Sequence, residues 1–242
     1  MAISVVEVLE RFGSIDQDAL ALAFARRFTE DPMRGYGGTA QGILRDIQSG
    51  VPWPIAAGRA FGGGGSCGNG SAMRVAPLGG WFADDLPKAP QQAALSASPT
   101  HTHPEAAAGA IAIAVAAAVA WQMGNRCRAT DPRAMFDEVL RYTPEGEVRA
   151  KLQQAAVLDS SPVASMAAQQ LGNGGRLLCQ DTVPFCVWVA AHHLASFEDA
   201  IWTAIPVGGD IDTNCAIIGG IVALYTGTAG IPLSWRKATE AV

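Results

Sequence analysis

Apolar residues recur at helical spacing from the start of the chain. Ile3, Val6, Leu9 and Phe12 fall on one face, Gly13 supplies a stop, and the run Ser14–Asp18 supplies a start for a second helix through Phe28. Met1 heads this pattern with no Ser, Thr, Asp or Asn before it to accept from the first free N–H groups. Two readings stay open there: a terminal helix capped by water, or a chain that begins part-way through a longer pattern. The segment "DPMRGYGGTAQGIL" predicts a Pro/Gly turn and a short helix, and "VPWP" predicts a rigid extended break. "FGGGGSCGNGSAMRVAPLGG" predicts a long glycine-rich loop around a short helical or extended core, with a helix near 80–98 after Asp84 and Asp85. Thr102-x-x-Glu105 fits a capping box, with Pro104 in the first turn, and opens a long Ala-rich helix. Further helices are expected near 131–140, 145–155, 161–170, 181–194, 196–205 and 213–227. No persuasive strand set or fixed-period repeat appears. The pattern predicts an all-α fold, with residues 1–242 as a single domain.

Composition sharpens this picture. Charged residues make up only 16% of the 242 positions, below the roughly 25% of an average globular chain, so much of the chain should pack among small side chains. Ala106–Asn125 is an uncharged run long enough to span a bilayer, yet its Ala and Gly supply little transfer energy. A buried core helix is the favoured reading over a membrane span. The net charge of -5 and the lack of a Lys/Arg run argue against a nucleic-acid partner. Five cysteines (Cys67, Cys127, Cys179, Cys186, Cys215) include no CxxC pair, so neither a disulfide framework nor a structural zinc site is signalled, and a cytoplasmic location is expected. The N-terminus has no basic stretch and meets Glu7 early, unlike a signal peptide.

Candidate chemistry gathers at "GGDIDTN". Two aspartates one residue apart, Asp210 and Asp212, precede an apolar run, with Thr213 adding a neutral oxygen and Gly208 and Gly209 allowing unusual dihedrals. Such a pair is either a turn whose carboxylates cap nearby N–H groups or a site where a cation or proton relieves their repulsion. For a cation, an all-oxygen set with no His or Cys points to Mg²⁺ or Mn²⁺ rather than zinc. Cys215 reads as a small core residue. His101 lies just outside the start of the Ala-rich helix, where an anion is favoured, and its roles as anion ligand and as structural residue are evenly matched. His103 reads as a partly exposed first-turn residue, His192-His193 as a surface pair or C-terminal cation, and the six tryptophans as core and loop anchors. Gly63-x-Gly65-x-x-Gly68 satisfies a dinucleotide fingerprint in letters only, lacking the preceding strand and the later acidic residue. What survives from this loop is "GNGSAMR", able to bring several N–H groups to one ligand.

"GNGSAMRVAPLG", "THTHPEAAAGA", "QDTVPFCVWVAAHH" and "GGDIDTNCAIIGGIVALYTG", in that order, resemble the ADP-ribosylglycohydrolase family over residue 1 to about 235. The resemblance implies an all-α hydrolase with a binuclear Mg²⁺ or Mn²⁺ centre, cleaving the glycosidic bond between ADP-ribose and an acceptor on a protein or small molecule. It implies that Asp210, Asp212 and Thr213 bind metal, the two aspartates also serving catalysis. Gly68, Asn69, Gly70, Ser71, His101, Gly208, Gly209 and, more weakly, Tyr36 match substrate-contacting positions. Two dications would orient the ribose hydroxyls and a water while the bond breaks through an oxocarbenium-like state. No membrane or nucleic-acid partner is expected.

The sequence departs from the family pattern at its start. The N-terminal Asp-Asp-Thr cluster that completes the metal site is missing, as is a preceding helix with a "GDALG"-like turn and an acidic residue implicated in catalysis. Three accounts are open: an N-terminally shortened enzyme, a non-catalytic binder of ADP-ribose or nucleotide on the same scaffold, or a site completed by another chain. Mg²⁺ prefers six oxygens, so with half the ligands absent the isolated chain is expected to be weakly active or inactive. Exposed apolar surface and poor solubility are expected with it.

Overall fold

The computed structural model describes residues 1–158 and 163–239. Among them are fourteen α-helices and no strand. They are α1 (Ala2–Phe12), α2 (Gln17–Glu30), α3 (Gly38–Gln48), α4 (Trp53–Gly58), α5 (Ala76–Trp81), α6 (Ala89–Ala97) and α7 (Pro104–Asn125). The second half holds α8 (Pro132–Tyr142), α9 (Glu147–Val157), α10 (Ala164–Leu171), α11 (Cys179–His192), α12 (Phe197–Ala204), α13 (Ile211–Thr226) and α14 (Leu233–Ala238). The expectation for 161–170 is met from Ala164 on; residues 161 and 162 lie outside the described residues.

Capping residues set several of these starts. Asp16 accepts from the Ala19 N–H, Asp131 from Ala134 and Ser196 from Asp199, each satisfying a donor that the first turn leaves open. At Met1 the N-cap has no side-chain acceptor.

The core is organised around α7. Ala106, Gly109, Ile113 and Val115 to Ala118 are all buried, and the helix packs against α5, α6, α8, α9, α11 and α13. It alone among the described helices has the length and hydropathy to cross a membrane, and 83% of that stretch is buried by protein. Small side chains on both partners are what let the backbones come so close. A methyl group at Gly79 in α5 would sit 2.2 Å from the Ala114 carbonyl oxygen and 2.7 Å from the Ala117 methyl, and one at Gly109 would sit 2.6 Å from Cys179 Sγ.

Several expectations are corrected. The helix α7 starts one residue later than the capping-box reading predicts: His103 is the N-cap, its Nδ1 accepting from the Glu105 N–H at 3.1 Å. Glu105 turns away instead, and its two oxygens accept from the Glu147 and Val148 N–H groups at 2.8 Å each, capping α9. "VPWP" is extended only to Pro52, because Pro54 fits the first turn of α4. The helix expected after Asp84 and Asp85 is present as α6, but the two aspartates themselves lie in a 3₁₀ segment, Ala83–Lys88. Of the tryptophans read as core and loop anchors, Trp188 is buried and Trp53 and Trp235 pack against the core, whereas Trp81 and Trp202 are about half exposed. His192 is half-buried in the last turn of α11: its ring lies 5.1 Å from that of Trp188 and its Nε2 lies 3.2 Å from the Leu158 carbonyl.

Gly79→Ala forces α5 away from α7. Overpacking of this kind costs ~1–3 kcal/mol, and thermal unfolding is expected to shift down by several degrees; an unchanged melt would show that the two backbones can separate freely.

Candidate active site

The glycine-rich loop is held between the starts of α7 and α11. Gly68 pairs with Leu178 in an isolated antiparallel bridge. The Asn69 N–H donates to the Leu177 carbonyl at 3.1 Å and the Cys179 N–H to the Cys67 carbonyl at 3.0 Å. Cys179 Sγ donates to the Gly68 carbonyl at 3.2 Å, and Ser71 Oγ donates to the Ala106 carbonyl at 3.0 Å. Leu177 takes a left-handed φ of 59° to make its contact, a conformation that costs a side-chain-bearing residue ~1–2 kcal/mol. These bonds leave Asn69 only 7% exposed and turned towards α13.

There it meets the aspartate pair. Asn69 Nδ2 donates to Asp210 Oδ2 at 2.6 Å and to Thr182 Oγ1 at 3.0 Å. Asp210 is the N-cap residue of α13, Asp212 and Thr213 lie in its first turn, and Gly208 and Gly209 approach it with φ of 76° and 74°. The Asn173 carbonyl accepts from the Asp210 N–H at 3.2 Å and from Asn214 Nδ2 at 2.7 Å. A methyl at Gly209 would lie 2.1 Å from that same carbonyl, and one at Gly174, whose φ is 81°, would lie 2.9 Å from the Asp210 Cβ. Both positions therefore require glycine on conformation and on space.

The electrostatics follow from the packing. Partial burial raises the Asp210 pKa, the Asp212 carboxyl raises it further, and the Asn69 amide and Thr213 hydroxyl oppose the rise. Asp212 is exposed and Thr213 buried. Two crowded carboxyls and a hydroxyl make an oxygen-only set that a hard divalent cation would suit, since it would relieve the repulsion that raises Asp210. Among the described residues no third Asp, Glu, His or Cys joins them, so the set fits one side of such an ion.

The remaining predicted residues separate into two places. His101 is 7% exposed and packs beneath the loop: a methyl at Gly70 would lie 3.1 Å from its Nε2. Burial first, and the charge of Arg74 second, push its pKa down from 6.5 to about 3. It thus offers a ligand a neutral hydrogen-bonding edge rather than a positive charge. Tyr36 lies elsewhere, edge-on to Phe28 with ring centroids 5.2 Å apart, and its carbonyl accepts from Gln41. A groove of about 720 Å³ between α1 and α2, lined by Glu7, Phe12, Leu22 and Arg26 among others, contains none of the candidate residues.

Residues 1–241 match the family model described as ADP-ribosylglycohydrolase. The chain belongs to the ADP-ribosylglycohydrolase family. It is 28% identical over 273 aligned positions to the ADP-ribosylhydrolase ARH3 of Gallus gallus, covering 100% of this chain and 72% of that protein. It is 26% identical over 271 positions to the human protein of the same name, covering 99% and 73%. In fold it is similar to an ADP-ribosylglycohydrolase-related protein complex, with a TM-score of 0.71 and 22% identity over 99% of this chain and 74% of that one. The ADP-ribosylglycohydrolase assignment makes this chain a hydrolase and agrees with its all-α architecture.

Within this family member the structure adds residues that the sequence reading did not single out. Asn173, Thr182 and Asn214 form the wall behind Asp210, and Asp181, 7% exposed, accepts from the Arg176 N–H at 2.9 Å to shape the turn between them. A second "GNG" at 172–174 and the "QDT" of α11 were the available signals.

His101 gives a testable pH dependence. Its folded pKa lies below its unfolded one, so the unfolded chain takes up a proton that the folded chain refuses. Its contribution is therefore present above pH 6.5 and is lost as pH falls towards about 3. Across that window the unfolding free energy of the wild type should fall faster than that of His101→Gln; parallel curves would show that the imidazole protonates within the fold.

Proposed function

We propose that this chain hydrolyses the glycosidic bond between ADP-ribose and an acceptor group on a protein or small molecule, with a divalent cation, Mg²⁺ or Mn²⁺, held by Asp210, Asp212 and Thr213. The observation that carries the reading is the meeting of the loop 68–71 with the start of α13 through the Asn69–Asp210 hydrogen bond. It is supported by family membership and by the ARH3 names of the relatives.

When bound, the cation would supply Lewis-acid stabilisation of the negative charge developing on the departing group and would polarise an attacking water. The chain's own residues have separable tasks. Asn69 orients the Asp210 carboxyl through one of its oxygens. Asp212, exposed at the first turn, would accept a proton from an attacking water. The Gly68–Ser71 loop, fixed by Leu177 and Ala106, would bound the nucleotide portion, and His101 would offer a hydrogen bond from beneath it. The five cysteines are unpaired, which suits the reducing cytoplasm proposed for the chain.

A second reading is favoured by the ligand count. Mg²⁺ prefers six oxygens, and among the described residues no third acidic, His or Cys side chain joins Asp210 and Asp212, so the same cleft could bind ADP-ribose without turning over its conjugates.

The test is Asp212→Asn in the full chain, following both Mn²⁺ binding by calorimetry and ADP-ribose release from a conjugate. Both should fall, release by ~10²-fold or more, the scale of losing a group that stabilises transition-state charge. Retention of both would overturn the proposal, and a wild type that binds ADP-ribose without releasing any would establish the second reading.

A further inference from the structure

A line of buried side chains runs from the end of α6 to the glycine-rich loop. Arg74 is 3% exposed, lies over the Phe24 ring at 4.5 Å, and has no carboxylate partner among the described residues. Its Nη2 donates to the Ser96 carbonyl at 3.0 Å and to Thr100 Oγ1 at 2.9 Å. Thr100 Oγ1 in turn lies 2.7 Å from His101 Nδ1.

The direction of that last bond is set by the first. A guanidinium has donors only, so Thr100 must accept from Arg74, which leaves the threonine with one hydrogen to place. Thr100 is 1% exposed, and His101 Nδ1 is the one acceptor within reach of its hydroxyl among the described residues. If the imidazole carried its proton on Nδ1, the hydroxyl hydrogen would be buried without a partner. That costs about 1–3 kcal/mol, enough to disfavour the alternative by roughly 5- to 150-fold. Among the described residues the opposite ring edge has no protein acceptor: Nε2 faces Gly68 and Gly70, where added methyl groups would stand 3.4 and 3.1 Å from it. The neutral ring that burial enforces is the state in which a tautomer can be chosen at all.

We infer that Arg74 and Thr100 are positioning residues that lock His101 as the Nε2–H tautomer, so that it presents a fixed N–H donor through the gap left by Gly68 and Gly70 to an acceptor oxygen of bound ADP-ribose. The ligand half of this inference rests on the function proposed above; the tautomer half does not. Glycine at both loop positions keeps that edge uncovered.

The test is long-range ¹H–¹⁵N correlation on the imidazole of His101 in the uniformly labelled full chain, with calorimetric titration of ADP-ribose. The wild type should show a protonated Nε2 and an unprotonated Nδ1 at neutral pH. Thr100→Val should mix or reverse the tautomer and weaken ADP-ribose binding by about tenfold, equivalent to ~1.4 kcal/mol. Thr100→Ser, which keeps the hydroxyl, should restore both. A protonated Nδ1 in the wild type, or a tautomer unmoved in Thr100→Val, overturns the lock. A tautomer that moves while ADP-ribose affinity stays constant upholds the lock and overturns the role of His101 as ligand donor. ADP-ribose failing to bind the wild type at all would count against the proposed function and leave the tautomer result to stand or fall alone.

Discussion

The hydrogen bond from Asn69 to Asp210 joins residues 141 positions apart, and everything at the candidate site is arranged around it. A carboxyl at the head of α13 is drawn out of water, crowded by Asp212, and met by an amide that must itself be held still to be of use. The amide is held because its loop is bonded to Leu177 on one side and to Ala106 on the other. The carboxyl is held because Asn173 accepts its N–H and because Gly174 and Gly209 have no side chain to push it away.

This arrangement depends in turn on the core. Helix α7 is surrounded by protein and is made of residues small enough for α5, α11 and α13 to lie against it. Ser71 bonds to its first turn, His101 precedes it, and the Cys179 side chain sits against Gly109. The composition that gives the sequence its low charge and high alanine content therefore has a mechanical result: the loop and two helix starts are brought to one place by backbones in close contact rather than by long side chains.

Much of this was legible in the sequence. The helical periodicity, the start of α2 within Ser14–Asp18 and the Ala-rich core helix follow from local chemistry that acts within a few residues. The Asp-x-Asp motif, the GNG loop and the His near the Ala helix were recognisable as a set because of their order along the chain. What was not legible depends on partners distant in sequence. Glu105 has the right spacing to cap its own helix but instead caps α9, forty-two positions on, and no local pattern reports that choice. His101 has the position of an anion ligand, and its burial beside Arg74 keeps it neutral well below pH 6.5. Asn173 and Thr182 gain their meaning from standing behind Asp210, a relation visible only once α11 and α13 are packed.

The account requires that the repulsion between Asp210 and Asp212 be relieved by a divalent cation. The direct measurement is anomalous diffraction at the manganese edge from crystals of the full chain grown with Mn²⁺. A peak ligated by oxygens of Asp210, Asp212 and Thr213, with Asn69 still bonded to Asp210, is the predicted result. A pocket with no peak there, both aspartates accepting from main-chain amides, would contradict it.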